Sequence, residues 1–104
     1  MLLVTTEFVP GREAEPLGLV KGSTIQTVNF VRDFGASLKT LVGGELKDYT
    51  AMMDKARVVA TERMIQEAQR LGGDAIVGVR FATSAVMQSA AEIMAYGTAV
   101  KLRN

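Results

Sequence analysis

The chain of 104 residues contains no cysteine and no histidine. Without cysteine there is no disulfide, no thiolate nucleophile and no sulfur ligand for a metal. Without histidine the chain lacks the usual general base, the Ser-His-Asp triad and the commonest transition-metal ligand. These absences exclude the most familiar hydrolase and soft-metal sites, and we predict no cofactor.

Phosphate-binding and calcium-binding motifs are missing as well. The sequence has no G-x-x-x-x-G-K-[ST] loop, no G-x-G-x-x-G after a strand and no D-x-D-x-D-G loop. Gly72-Gly73-Asp74 follows a predicted helix instead of opening one, which is the wrong polarity for an anion site. Acid–base catalysis would have to use Asp, Glu, Lys or Tyr, and no two carboxylates are spaced as a catalytic pair. A non-enzymatic protein is therefore favoured.

The charge pattern argues against nucleic acid and membranes as partners. Twelve basic and eleven acidic residues leave a net charge of +1, and the basic residues are dispersed. The longest uncharged run, Phe81 to Ala91, is far shorter than the ~20 residues of a membrane span. The segment Met1–Glu7 has neither the basic nor the apolar region of a signal peptide. We expect a cytoplasmic protein.

The chain is rich in apolar residues for its size. Hydrophobic residues make up 48% of the sequence, and the mean hydropathy is +0.18. A chain of this length forms one domain with a core of limited size. We therefore expect another subunit to cover part of the apolar surface, and a well-packed monomer is the alternative.

Two helices are predicted. The longer one spans Glu45–Leu71 and ends at Gly72-Gly73. Its apolar stripe at helical spacing comprises Leu46, Tyr49, Met52, Met53, Ala56, Ala60, Met64 and Leu71. Val58 and Ile65 lie off this stripe, either as isolated surface residues or as a second contact face. A shorter helix is predicted within Asn29–Val42.

Strands are predicted both before and after these helices in the sequence. Leu2–Thr5 is the first, Phe8–Pro16 is a loop, and Leu17–Val28 is one strand bent at Gly22. Two apolar runs, Ala75–Phe81 and Glu92–Val100, form an antiparallel pair.

Strict alternation in this pair separates its residues into faces. It places Val77, Val79 and Phe81 on one face, with Ile76, Gly78 and Arg80 on the other. We expect a helix to lie close against Gly78. In the second run the small face of Ile93, Ala95, Gly97 and Ala99 suits a closely packed helix. The opposite face of Met94, Tyr96, Thr98 and Val100 is also largely apolar. Two helices cannot cover both sides of the sheet, so we expect other subunits to cover the second one.

Four charged residues stand within apolar patterns and are the candidate interface or pocket residues: Arg63, Glu67, Arg80 and Glu92. Arg63 and Glu67 either reach solvent over apolar surface or form a partly buried pair at an interface or around a small acidic ligand. Arg80 and Glu92 are either solvated or paired strand-end residues, or pocket residues at the mouth of an oligomer.

Several blocks resemble the bacterial YbjQ-like family: Lys55-Ala-Arg57, Arg63-Met64, Leu71–Phe81 and Glu92–Val100, with Leu17–Gly22 and Leu41–Glu45 resembling earlier segments. The resemblance covers nearly the whole chain and implies a single YbjQ-like domain over residues 1–104. It implies small α+β subunits assembled into ring-like pentamers, sometimes paired into decamers. The family is uncharacterised and often labelled "putative heavy-metal-binding".

The combined prediction is an α+β subunit with a small antiparallel-rich sheet, one short and one long helix, in a ring-like homo-oligomer. Its predicted role is a binding or assembly module for an unknown small-molecule ligand. The alternatives are a metal-binding protein and an enzyme with an inter-subunit site. Heavy metals prefer thiolate or imidazole ligands, and the remaining carboxylates suit Mg²⁺, Ca²⁺ or Mn²⁺, so we predict no metal ligand.

Overall fold

A computed structural model describes residues 1–27, 47–87 and 90–103. These residues form four strands and one helix: β1 (Leu2–Leu3), β2 (Glu13–Thr27), α1 (Lys47–Arg70), β3 (Ala75–Met87) and β4 (Ala90–Arg103). The predicted α+β class and the long helix are confirmed. The predicted short helix within Asn29–Val42 lies outside the described residues.

The four strands form one mixed sheet in the order β1-β3-β4-β2. β4 is antiparallel to both of its neighbours, and its pairing with β2 runs from Glu13 opposite Arg103 to Thr27 opposite Ala90. β1 adds a short parallel pairing, with Leu2 opposite Ala75. The last strand in sequence is therefore central to the sheet.

β2 begins earlier than predicted, inside the segment assigned to a loop. Pro16 lacks a backbone N–H, but β2 is an edge strand, where a proline is tolerated. A register shift follows between Pro16 and Gly18. Pairing continues without a shift through Gly22, so a bulge there, one of the two predicted alternatives, is wrong.

Gly78 interrupts the predicted alternation of β3. Its φ is 62°, and the register with β4 shifts between Val77 and Arg80. As a result Ile76 and Val79 both join the core beneath α1, whereas Val77 lies in a separate cluster on the other side. The predicted grouping of Val77 with Val79 is wrong because a bulge adds one residue and reverses the faces that follow.

α1 packs through buried side chains spaced one turn apart, and three of the four are alanine. Ala56, Ala60, Met64 and Ala68 are fully buried, and the facing sheet residues include Val20, Ile93, Ala95 and Ala99. The small face predicted for β4 is thus confirmed as the helix contact. In the predicted stripe, Leu71 is 43% exposed instead of buried. Ile65 packs against the core, and Val58 is exposed.

The close approach of α1 occurs over Gly22 in β2. A Cβ atom at Gly22 would lie 2.2 Å from the Ala60 carbonyl oxygen and 2.3 Å from the Met64 nitrogen. At Gly78, where a close helix contact was expected, a Cβ atom would meet nothing within 4 Å. The close-contact prediction was therefore assigned to the wrong glycine.

The subunit is elongated. Its radius of gyration is 17.2 Å and its longest extent is 56 Å, compared with about 13 Å for the radius of gyration of a typical 100-residue domain. β3 is buried at its first residues and exposed from Arg80 to Met87. The long strands therefore extend beyond the part of the sheet that the described residues cover.

Candidate functional site

Arg63 and Glu67 lie one turn apart on α1 and both contact the backbone of β2. The Nη1 atom of Arg63 donates a hydrogen bond of 2.7 Å to the Ser23 carbonyl oxygen. The backbone N–H of Lys21 donates to Oε1 of Glu67 at 3.4 Å. Glu67 also lies 3.8 Å from Arg70. These two candidates therefore reach outward from the apolar stripe and fasten the helix to the edge of the sheet.

Arg80 joins the bulge of β3 to the segment after β1. Its Nη1 atom donates to the carbonyl oxygens of Thr5 and Val79, each at 2.9 Å. Glu92 is half-buried on β4, opposite Ile25 of β2 and Ser84 of β3. In the described part of the chain Glu92 forms no ion pair.

The four candidates do not converge on one pocket within the subunit. Arg63 and Glu67 belong to the helix side of the sheet, whereas Arg80 and Glu92 have register positions on the other side. Arg80 pairs with Tyr96, which is four residues from Glu92 and therefore about 13 Å away along the strand. The structure thus separates the candidates into two pairs on opposite sides.

The sheet side away from α1 carries an exposed surface with several large apolar residues, which we call the open face. Its apolar members are Leu19, Ile25, Met94 and Tyr96, and the polar Lys21, Ser23 and Glu92 lie on the same side. Leu19 is 71% exposed and Ile25 is 57% exposed, although both are large aliphatic residues in the middle of a paired strand. Alternation in β4 predicted Met94 and Tyr96 for this face. The contribution of β2 depends on its register with β4, which the sequence does not show.

On the same sheet side, the end next to β1 is covered by other residues of the chain. Ala75, Val77 and Val100 are buried, and Val4, Val9 and Leu102 pack against them. The prediction that Val100 would be left for another subunit is therefore wrong, because the segment after β1 reaches it. The uncovered apolar surface begins farther along the sheet.

Asp74 illustrates a structural role for a carboxylate. It accepts a hydrogen bond of 2.8 Å from the Leu102 backbone N–H and lies 3.6 Å from Lys101. This backbone hydrogen bond, aided by the Lys101 charge, lowers the pKa of Asp74. Asp74 thereby joins the turn after α1 to the end of β4.

The described charged residues form no group that could hold a heavy metal. In residues 1–27, 47–87 and 90–103, no three side chains of Asp or Glu come together in a group able to hold a metal ion. The sequence supplies no Cys or His, and therefore none of the thiolate or imidazole ligands that Zn²⁺ prefers. Over the same ranges, no helix is long and apolar enough to cross a membrane.

Comparison with known proteins relates the chain to a family over its full length. A family model described as "Putative heavy-metal-binding", YbjQ_1, matches residues 1–103. A UPF0145 protein of Clostridium novyi is 59% identical over 102 residues, which cover 98% of this chain and 99% of the relative. A UPF0145 protein of Thermus thermophilus is 56% identical over 103 residues, which cover 98% of this chain and 90% of the relative.

A solved structure has the same fold. The crystal structure of a DUF74-family protein of unknown function from Pediococcus pentosaceus superposes with a TM-score of 0.68 at 19% identity, covering 99% of this chain and 98% of that one. Apart from the description of the family model, none of these matches names an activity, and no specific function is established. The resemblance found in the sequence is confirmed: the chain belongs to the YbjQ-like family, UPF0145.

Proposed function

We propose that the protein is the subunit of a homo-oligomer and serves as a non-enzymatic binding or assembly module. The open face carries this proposal. Leu19 and Ile25 each expose more than half of their surface beside the half-buried Met94 and Tyr96. Lys21 and Ser23 separate Leu19 from Ile25 along β2, and Tyr96 and Met94 connect them across β4. Grouped exposed apolar residues mark interaction surfaces in soluble proteins. A second copy would remove them from water.

The length of the subunit supports the same proposal. The eight residues Arg80–Met87 are exposed although they belong to a continuous paired strand. Phe81, Val86 and Met87 are large exposed apolar residues among them. A long strand pair of this composition gains stability when other subunits pack against it. A ring-like pentamer or decamer, as the family resemblance implies, is the proposed form, and the cytoplasm is its proposed location.

Native mass spectrometry on untagged protein tests the proposal directly. We expect an oligomer at micromolar subunit concentration, at a mass equal to the sum of bare subunits or with a reproducible added ligand mass per subunit. A monomer would refute the proposal.

A pair of variants then locates the interface. Leu19→Glu places a charge on the open face, and Val58→Glu places one at an exposed position of α1 (Leu19 is 71% and Val58 is 56% exposed). Both should keep a wild-type circular dichroism spectrum because neither side chain is buried. We expect Leu19→Glu to dissociate the oligomer and Val58→Glu to leave it intact. Dissociation by Val58→Glu alone would instead assign the contact to the helix.

Heavy-metal binding, which the family description suggests, does not fit the donor atoms of this chain. Only carboxylate, carbonyl, amide, hydroxyl and thioether groups are available, and the oxygen ligands suit Mg²⁺, Ca²⁺ or Mn²⁺. After equilibration with Zn²⁺ or Cd²⁺ and gel filtration, we expect far less than one metal ion per subunit. Stoichiometric retention, reversed by a chelator, would contradict this.

The enzyme alternative requires the charged candidates to meet between subunits. Within one subunit Arg63 and Arg80 are already hydrogen bonded to backbone carbonyl groups and lie on opposite sides of the sheet. These hydrogen bonds hold parts of the fold together. Among the described residues they leave no acid and base that converge on one site. The geometry therefore favours the assembly module.

A further inference from the structure

The outer edge of β2 is closed by side chains of α1. Successive residues of an antiparallel edge strand alternately direct their backbone groups toward the sheet and away from it. Lys21 and Ser23 are two residues apart, and their N–H and C=O groups bind Glu67 and Arg63. An added strand would need these same outward groups. The two side chains therefore block strand addition at this point.

The opposite edge of the sheet is covered only in its inner part. β1 pairs with Ala75 and Ile76. The segment that follows β1 continues the coverage: the Gly78 N–H donates to the Thr6 carbonyl oxygen at 2.7 Å, and the Val79 N–H donates to the Val4 carbonyl oxygen at 3.0 Å. From Phe81 onward, no described residue forms a hydrogen bond with the outer side of β3.

Among residues 1–27, 47–87 and 90–103, nothing pairs with the outer side of Phe81–Ala85, which we call the open edge. It lies between two register shifts, one at Val77/Arg80 and one at Ala85/Met87, so its own pairing with β4 is regular. It has no charge and no proline. Natural proteins usually protect an exposed edge with charged residues, proline or a bulge, and this segment has none of them.

We infer that a second copy of this chain adds to the open edge in antiparallel orientation, through its own Phe81–Ala85. The two-fold axis passes Thr83, so that Thr83 faces its counterpart, Ala82 faces Ser84 and Phe81 faces Ala85. This inference rests on the proposed homo-oligomer in its decameric form, because a two-fold contact can join two rings but cannot occur within a single five-fold ring.

The composition of the segment identifies a second copy as the occupant. Antiparallel self-pairing places the large Phe81 opposite the small Ala85 at both ends, and it brings no charge next to another. The contact is isologous, as in most two-fold assemblies. Because the axis is perpendicular to the sheet, both open faces lie on the same side of one eight-stranded sheet. The edge contact thus extends the open face.

The absence of native cysteine makes a direct test possible, since a single introduced cysteine can form a disulfide only between two copies. Directly opposite residues of an antiparallel pair have Cα atoms about 4.5 or 5.5 Å apart, within the usual disulfide range of ~4.4–6.8 Å. The Thr83→Cys variant is compared with Val58→Cys, which is also exposed. After mild oxidation, non-reducing electrophoresis should show at least about ten-fold more linked dimer for Thr83→Cys.

The outcomes separate this inference from the proposed function. If native mass spectrometry shows an oligomer but Thr83→Cys links no better than Val58→Cys, the edge contact is refuted and the homo-oligomer stands. If Thr83→Cys links no better and is also protected from a maleimide in subunits diluted to the monomer, residues of the same chain cover the edge, which again refutes the contact. A wild-type monomer at micromolar concentration refutes both.

Discussion

Replacement of Gly22 by alanine tests the contact between α1 and β2. The new Cβ atom would lie 2.2 Å from the Ala60 carbonyl oxygen and 2.3 Å from the Met64 nitrogen, whereas ordinary contact begins at 3.4 Å. Both neighbours are helix backbone, so no side chain can rotate aside. The helix must move away by about 1.2 Å, the difference between 3.4 and 2.2 Å.

That displacement has a large expected effect on stability. A gap of 0.5–1 Å already forfeits roughly a quarter to a half of each dispersion contact, and the contacts affected include the buried Val20, Ala60 and Met64. Overpacking typically costs about 1–3 kcal/mol, and a rigid obstacle places Gly22→Ala at the upper end, near 3 kcal/mol. For a domain of this size that loss lowers Tm by ~12–24 °C.

Gly78→Ala is the matched control. It adds the same methyl group where nothing lies within 4 Å, so its cost arises from the φ of 62° alone, about 1–2 kcal/mol. Thermal and urea unfolding should be followed by circular dichroism at equal subunit concentrations, because assembly makes Tm depend on concentration. A Gly22→Ala variant no less stable than Gly78→Ala would refute the close approach of the helix.

Three further predictions concern other contacts. Gly97→Ala should cost about 1–3 kcal/mol in urea unfolding, because its Cβ atom would lie 2.8 Å from an Ile76 methyl group; an unchanged midpoint would contradict this. The pKa of Asp74 is lowered in the folded state, so the stabilisation by its carboxylate is present above the unfolded pKa near 3.8 and is lost as pH falls through the folded pKa. Asp74→Ala should therefore flatten the loss of Tm below pH 4. An unaltered dependence of Tm on pH would refute the assignment. Arg63→Ala combined with Glu67→Ala should open the β2 edge and produce larger species by light scattering than either single variant; equal size distributions would show that these side chains do not protect it.

The parts of the fold that were predictable are those set by local periodicity. Ala56, Ala60 and Met64 recur at helical spacing, and Ile93, Ala95 and Ala99 alternate along β4, so each face could be assigned before the partner was known. The small residues Ala95, Gly97 and Ala99 of β4 also predicted that helix and sheet would approach closely. The crossing residue, Gly22, could not be identified because it lies on a different strand.

The errors occurred where distant backbone groups decide the local structure. The bulge at Gly78 is held by hydrogen bonds to Thr6 and Val4, more than 70 residues earlier in the chain. No window of sequence around Gly78 contains that information. Alternation was therefore correct up to Val77 and reversed beyond the bulge.

The candidate site was only partly accessible for the same reason. Arg63 and Glu67 were recognisable as charges within an apolar stripe, but their partners, Ser23 and Lys21, are 40 and 46 residues away. Those partners are backbone groups, which carry no signature of side-chain type. Sequence reasoning therefore located the anomaly and left its purpose open between solvent, ligand and interface.

The central position of β4 has a consequence for how the chain folds. β2 has no strand neighbour other than β4 among the described residues, and the pairing of Glu13 with Arg103 spans 90 residues. During synthesis β2 and α1 leave the ribosome well before the strand that completes their sheet. Long-range pairing of this kind slows folding and prolongs the exposure of apolar strands. We therefore expect a slow, concentration-sensitive refolding reaction in which docking of β4 is the committing step.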